Sequence, residues 1–519
     1  MIRSSLLALS LISLPVSAFA AQDCASLKRV AVPDAIILSA TEVPSQPFAA
    51  PISTPGLMLP PLCVVKGILH PTTDSKIRFE VWLPQTGWNG RIVDVGNGGF
   101  AGSIAYQQMG ANVLAGYATA DSDAGHQADS EDASWAFEHP EKIKDFGWRA
   151  VHLTAGVSKV MVKAYYGKPQ EKAYFDSCSD GGREALMEAQ RFPQDYDGIL
   201  AGAPANNWTH MLANGLAMMK AMGDDPTTFF SSMKLPAIHA ASLAACDAQD
   251  GVKDGILSDP EHCRFDPAVL TCKGAEDLSC LTPKQVQTAR TLYRGSTDAK
   301  GQSIFPGYVP GDEGAGWKSW ILGTAPTTGS GGAYVTNYFR YMVYNDPKWN
   351  PLAANTEDAL RRGMEGAAKD VDATNTDLSA FAAHGGKLIL YHGWNDPGIS
   401  PWNTVNYFNA VKKTMGEAKA EQTVRLFMAP GVEHCLGGPG PSLFGQLGFP
   451  AANGKGSGAL DLLQVWVEKG TAPEMILATT LKDPRATQTV RPLCAYPKRA
   501  VYNGKGDPNQ PGSFTCKVN

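Results

Sequence analysis

An α/β fold, a parallel sheet with helices on both faces broken by a large insertion, is what this 519-residue sequence predicts. Three observations carry that reading. Short apolar runs alternate with helical patterns between Ile77 and Pro204. The alternation is lost near Asn206 and returns at Gly386. Between the first two groups of elements a serine stands on a strand-to-helix turn, Tyr174-Phe175-Asp176-Ser177-Cys178-Ser179-Asp180-Gly181-Gly182.

The elements follow in order. Residues 1–20 read as a signal peptide, with Arg3 as the charged start and Leu6 to Val16 as an apolar stretch too short to span a bilayer. Ala18-Phe19-Ala20 fits the cleavage rule, so the mature chain is expected to begin at Ala21, in a bacterial periplasm or the medium. Residues 21–205 form the first part of a catalytic domain. In it, strands are expected at Ile77 to Pro84, Arg91 to Val95, Val113 to Thr119, Tyr174 to Cys178 and Tyr196 to Pro204. Val151, Leu153, Val157, Val160 and Met161 recur at helical spacing within Ala150 to Tyr166. Residues 206–382 read as an inserted lid with an aromatic cluster, including Trp317, Trp320, Tyr334, Tyr338 and Phe339, most of it core and a few rings facing a pocket. Residues 383–519 complete the catalytic domain, with strands at Gly386 to His392 and Val424 to Met428 and a helix near Gly458 to Lys469. The net charge of −5 points to neither nucleic acid nor an anionic membrane as a partner.

A serine on such a turn is lifted above the sheet, and the N–H of Asp180 can face a developing oxyanion at the helix start. Small residues are needed before it, and Ser177 stands where the general pattern has glycine. A hydroxyl needs a base to take its proton and an acid to orient that base. The chain order Ser, Asp, His of an α/β-hydrolase is met by Ser179, Asp396 and His434, each after a core strand. His392 and His126 are rival bases, but His392 precedes the aspartate. Gly96-Asn97-Gly98-Gly99-Phe100 follows an early strand, where such folds place a second oxyanion donor. The fold expected is therefore an α/β-hydrolase fold with a large inserted lid domain.

Ten cysteines in an exported chain argue for disulfides. Sequence order makes Cys24–Cys63, Cys246–Cys263, Cys272–Cys280 and Cys494–Cys516 plausible local pairs. Cys178 and Cys435 remain, one beside Ser179 and one beside His434. If those two side chains meet, their neighbours come within disulfide reach. A thiolate nucleophile at Cys178 is the rival use of that residue. The loop Cys246 to Ile256 carries Asp247, Asp250 and Asp254, which suit a hard cation, above all calcium, without EF-hand spacing.

Taken together, Cys178-Ser179-x-Gly181-Gly182-Arg183, His392-Gly393-x-x-Asp396, Glu433-His434-Cys435, Gly96-x-Gly98-Gly99-Phe100 and the Cys246 to Ile256 loop resemble the tannase and feruloyl esterase family, which includes monohydroxyethyl-terephthalate hydrolases. The resemblance covers essentially the whole mature chain. It implies a Ser179–Asp396–His434 triad and a Cys178–Cys435 bond. It also implies an oxyanion hole from Asp180 and Gly98. Calcium would be bound by Asp247, Asp250 and Asp254 through side chains and by Val252 and Ile256 through carbonyls, with no organic cofactor. The implied partner is a small ester of an aromatic acid, with ferulate, gallate and terephthalate esters all open. Arg340 could meet a substrate carboxylate, but a structural ion pair suits it better. A lipase or peptidase, and a calcium-stabilised binding protein on a dead hydrolase core, are the other classes to weigh. The polar, glycine-rich lid argues against the first and the intact Ser-Asp-His set against the second.

Overall fold

The computed structural model describes residues 23–48, 58–314, 316–454, 456–481 and 487–518. The expected signal peptide and its cleavage site lie outside them. In chain order the strands of the two larger sheets are β1 (Ala35–Val43), β2 (Leu62–Leu69), β3 (Ile77–Pro84), β4 (Arg91–Asp94), β5 (Thr119–Ser122), β6 (Lys172–Cys178), β7 (Gly198–Gly202), β8 (Lys387–Gly393) and β9 (Val424–Ala429). β4, β6, β7, β8 and β9 form a parallel sheet in the order β9-β8-β7-β6-β4. An antiparallel sheet, β1-β2-β3-β5, continues it. The join is made at β5: the N–H groups of Val93 and Val95 donate to the carbonyls of Ala118 and Ala120 at 2.9 and 3.1 Å.

The parallel strands are apolar because both faces are covered. Side chains alternate across β6, so Tyr174 packs on one face with Leu200, Ile389 and Phe427. Phe175 packs on the other with Ile199, Ala185 and Leu186. Helix α1 (Tyr106–Leu114) packs beside the antiparallel strands, and α2 (Ala150–Tyr166) and α3 (Asp180–Arg191) cover one face of the parallel sheet. Between β7 and β8 the chain is mainly helical, beginning with α4 (Trp208–Gly223) and including α5 (Ser330–Asn337). Helix α6 (Ala459–Lys469) covers the opposite face through Leu463 and Trp466.

One expected strand is corrected. Val113 to Thr119 is not a strand: Val113 and Leu114 end α1, and β5 begins at Thr119. The apolar run is too short for its pattern to separate helix from strand. Met109 and Val113, four residues apart, are both buried on one face of α1. Gly116, at φ +90°, turns the chain back towards the sheet, where a β-carbon would come within 2.9 Å of the Gly87 carbonyl oxygen.

The cysteines are joined as Cys24–Cys63, Cys178–Cys435, Cys246–Cys263, Cys272–Cys280 and Cys494–Cys516. Arg340 forms no ion pair among the described residues; its Nε donates to the Trp349 carbonyl at 2.9 Å. It ties a turn of the aromatic cluster together by capping a carbonyl, and the expected carboxylate partner is absent.

Several carboxylates are buried beneath the sheet end. Asp176 on β6 is fully buried; its Oδ2 accepts the Leu447 N–H at 2.8 Å, and Oδ1 has no partner. Burial pushes its carboxyl up to about 7. The folded chain thus keeps a proton that the unfolded chain releases near the ordinary carboxylate value. Stability from this group is present at low pH and is lost as pH rises towards 7. Asp176→Asn is therefore expected to lose less melting temperature than the wild type between pH 5 and pH 8. Parallel losses in the two proteins would show that Asp176 is not the titrating group.

Candidate active site

β6 ends at Cys178, and Ser179 takes φ +68° and ψ −121° before α3 begins. That region is costly for a side chain and persists only where the surroundings enforce it. Here the Ser179 N–H donates to the Gly202 carbonyl at 3.0 Å, and its own carbonyl accepts the Ala205 N–H at 3.1 Å. Sterics explain the neighbouring glycines. A β-carbon at Gly181 would fall 1.9 Å from Ser177 Oγ, and one at Gly182 would fall 2.3 Å from the Gly202 oxygen. Ser177 is thus tolerated where a glycine is usual because Gly181 leaves it room.

Ser179, His434 and Asp396 come from three loops after β6, β9 and β8, and they form one hydrogen-bonded run. His434 Nε2 lies 2.8 Å from Ser179 Oγ, and its Nδ1 lies 2.7 Å from Asp396 Oδ2. The carboxylate requires a donor, so Nδ1 carries the proton and Nε2 is left to accept from the hydroxyl. Asp396 is buried, and its Oδ1 accepts the N–H groups of Gly398 and Ile399 at 2.8 and 2.9 Å. Burial alone would raise its pKa; the two imidazoles against it outweigh burial and hold it well below the usual carboxylate range.

The second of those imidazoles is His392, a rival base in the sequence. Its Nε2 faces Asp396 Oδ2 at 3.0 Å and the Ile399 carbonyl at 3.1 Å, while Nδ1 meets Thr404 Oγ1 at 2.7 Å. It is fully buried and orients the aspartate. The i, i+4 spacing of His392 and Asp396 was visible in the sequence, but it did not reveal this contact. His126 is a second rival set aside: its Nε2 binds the Phe100 carbonyl at 2.7 Å, and its ring stacks on Trp135.

The Asp180 N–H opens α3 and has no intrahelical acceptor. The glycine loop after β4 is clamped to the same helix through Asn97. The Asn97 carbonyl accepts the Gly181 N–H at 2.8 Å, and its N–H donates to Glu184 Oε2 at 3.0 Å. Gly99, at φ +61°, lines the cavity beside Ser179; Gly98, the residue expected there, is its immediate neighbour and is not in the lining. A β-carbon at Gly99 would strike the Ser130 carbonyl and the Tyr334 hydroxyl, whereas one at Gly98 would meet nothing within 4 Å. Arg183 is buried and holds Asp180 Oδ1 at 2.6 Å and the carbonyls of Phe146 and Gly147. Neither Glu184 nor Arg183 was legible as a support, because both are ordinary residues of a helix until the loop is packed against them.

Next to Ser179 and His434 is a cleft of about 670 Å³ walled by Trp208, Phe305, Tyr308, Trp320 and Tyr334. The Trp320 ring meets the His434 ring at 5.1 Å and rests on Gly398, where a β-carbon would lie 3.0 Å from it. Trp317, Tyr338 and Phe339 are buried core.

In the acidic loop each aspartate folds back on the chain. Asp247 Oδ1 accepts the Gly255 N–H at 3.2 Å, Asp250 Oδ1 that of Val252 at 2.9 Å, and Asp254 Oδ1 that of Ile256 at 3.2 Å. Asp254 Oδ2 pairs with Arg491 at 2.7 Å, and Asp250 Oδ2 is buried without a partner. Among the described residues, the trio of acidic and histidine side chains whose donor atoms all lie within 4.8 Å of one another is His152, Glu188 and Asp195, not these three.

The sheet order, the serine turn and the loops that meet above it define an α/β-hydrolase. Residues 63–517 match the family described as tannase and feruloyl esterase. An uncharacterised esterase of Xanthomonas campestris pv. campestris is 40% identical over 97% of this chain and 92% of its own. A probable feruloyl esterase B-2 of Aspergillus flavus is 35% identical over 81% of this chain and 80% of its own. The crystal structure of feruloyl esterase B from Aspergillus oryzae superposes with a TM-score of 0.87 at 30% identity, covering 95% of this chain and 99% of that one. The chain belongs to the tannase and feruloyl esterase family and is a carboxylic ester hydrolase.

Cys178–Cys435 joins the residues flanking Ser179 and His434 across 257 positions, with the α-carbons 6.0 Å apart. A cross-link over a loop of that length contributes about 5.5 kcal/mol in the chain-entropy account. Converting both cysteines to serine is expected to lower turnover at least tenfold while the fold persists, read by kcat beside near-ultraviolet circular dichroism. Unchanged kcat would show that the bond does not position the two side chains.

Proposed function

We propose that this protein hydrolyses esters of aromatic acids, of the feruloyl or galloyl type, through an acyl-enzyme on Ser179. The observation that carries the reading is the run Asp396–His434–Ser179 at the wall of an aromatic cleft. His434 Nε2 takes the hydroxyl proton as Ser179 Oγ attacks the ester carbonyl carbon. Asp396 keeps Nδ1–H in place and balances the imidazolium. The oxyanion is met by the N–H of Asp180, with Gly98 in the clamped glycine loop as the second donor. The alcohol leaves with the proton from His434. Water then gives a proton to His434 and attacks the acyl carbon, and Ser179 recovers its proton as the acid departs. The relatives described as feruloyl esterases support the aromatic acyl group.

Ser179→Ala is expected to lower kcat on methyl ferulate, methyl gallate and chlorogenate at least about 10⁴-fold, with the melting temperature little changed. Covalent labelling by an organophosphonate should be lost with it. Turnover or labelling that survived would remove Ser179 as the nucleophile.

We also propose that the acidic loop holds Ca²⁺ through Asp247, Asp250 and Asp254, with the carbonyls of Val252 and Ile256. The buried, unpartnered Asp250 oxygen supports this, since burial makes an uncompensated carboxylate costly. Arg491 on Asp254 would share that carboxylate with the ion. Its role is to stiffen the lid, with no part in the reaction. Chelation is expected to lower the melting temperature and added calcium to restore it, since free ligand at 100 times its Kd stabilises by about 2.7 kcal/mol. A melting temperature indifferent to both would dismiss the ion. Export to the periplasm or the medium is proposed from residues 1–20, and the five disulfides support it. A mature N-terminus other than Ala21 would count against it.

A further inference from the structure

The cleft beside Ser179 is walled mainly by apolar and aromatic side chains. Among the described residues, no Lys, Arg, Asp or Glu lines it. Its polar side chains are mostly spent on the protein. Asn214 Oδ1 accepts the Ser296 N–H at 2.9 Å, Ser400 donates to the Gly307 carbonyl, and the Tyr334 hydroxyl is hydrogen-bonded to Ser130. Three groups are uncommitted among the described residues: the Tyr308 hydroxyl, the Trp320 indole N–H, and the Trp208 indole N–H, which is buried without an acceptor.

Neither Arg183 nor Arg340 is in the wall of the cleft. Arg183, behind the Trp208 ring, is closed off by Asp180 and two carbonyls. Arg340 is held by the Trp349 carbonyl. Asp312 is buried with both carboxylate oxygens unpartnered, and Asp312 and Asp396 together oppose ionisation of the Tyr308 phenol, adding to the effect of its burial. Burial and the neighbouring acids Glu433, Glu313 and Asp396 push Asp312 up to about 9.

We infer that this cleft selects esters of neutral aryl acids and rejects those whose acyl ring carries a second, ionised carboxylate. An anion placed there would shed its water and, among the described residues, find no lysine or arginine in the cleft wall to replace it. A neutral ring loses little on entry. A phenol or methoxy oxygen on it could use the Tyr308 hydroxyl and the Trp208 N–H, which are otherwise left unsatisfied. Discrimination here comes from the penalty on the wrong acid more than from extra contacts to the right one. The inference rests on Ser179 being the nucleophile and narrows the acids it accepts. It sets terephthalate monoesters apart from the feruloyl type.

The test uses the wild-type protein and three methyl esters that share one benzene ring. Dimethyl terephthalate and methyl 4-carbamoylbenzoate are neutral; monomethyl terephthalate carries a carboxylate. At pH 7.5 both neutral esters are expected to show kcat/KM at least about 100-fold above the anionic one, with most of the difference in KM. The carbamoyl ester matches the carboxylate in size, so its ranking with the diester assigns the effect to charge. Comparable kcat/KM for the anionic and neutral esters would overturn the inference and leave the esterase reading standing. Discrimination that followed ring size, with the carbamoyl ester as poor as the acid, would overturn it too. Failure to hydrolyse any of the three, or methyl ferulate run beside them, would sink the nucleophile assignment and the inference with it.

Discussion

The contact between Ser179 Oγ and His434 Nε2 is the constraint that organises the rest of the molecule. The two residues are 255 positions apart, and the intervening chain includes the whole helical insertion. Three devices make the contact affordable. The parallel sheet brings the ends of β6, β8 and β9 to one edge. The Cys178–Cys435 bond removes much of the freedom that would separate the two loops. The Gly202 carbonyl and the Ala205 N–H hold Ser179 in a backbone conformation that it would not adopt alone.

The glycine loop beside Ser179 is held by the helix that follows that serine. Gly181 and Glu184 of α3 hold Asn97 by its carbonyl and its N–H, so the glycine loop moves with the elbow. This couples two regions far apart in sequence through two backbone groups. It also explains a buried glutamate one turn below the serine: the acid is retained because it accepts a backbone donor that would otherwise be lost in the interior. Asp396 is treated in the same way, with four donors on its two oxygens. Buried carboxylates are kept where they fix geometry, and among the described residues no carboxylate, lysine or arginine lines the cleft next to them.

Much of the candidate site was legible because it is local. The small residues around Ser179, the order Ser, Asp, His after successive strands, and the parity of the cysteines are all properties of short segments or of chain order. Misreadings arose where local pattern is degenerate. Val113 and Leu114 suit a strand as well as a helix end, and only the packing of Met109 and Val113 on one face separates the two. Arg340 looked ready for a carboxylate, but a backbone carbonyl reached it first. His392 looked like a competitor for the role of base and proved to be a second donor to the same carboxylate.

The sequence by itself determined the fold class, the family, the serine turn and the candidate residues around it, since those follow from residue type, spacing and order. Only the tertiary structure decided how the supporting groups are used: which hydroxyls and guanidiniums are already bound, and which indole and phenol groups of the cleft are left without a partner among the described residues. The physical reason is that a side chain's chemistry is written in its identity, whereas its availability depends on partners brought to it from elsewhere in the chain.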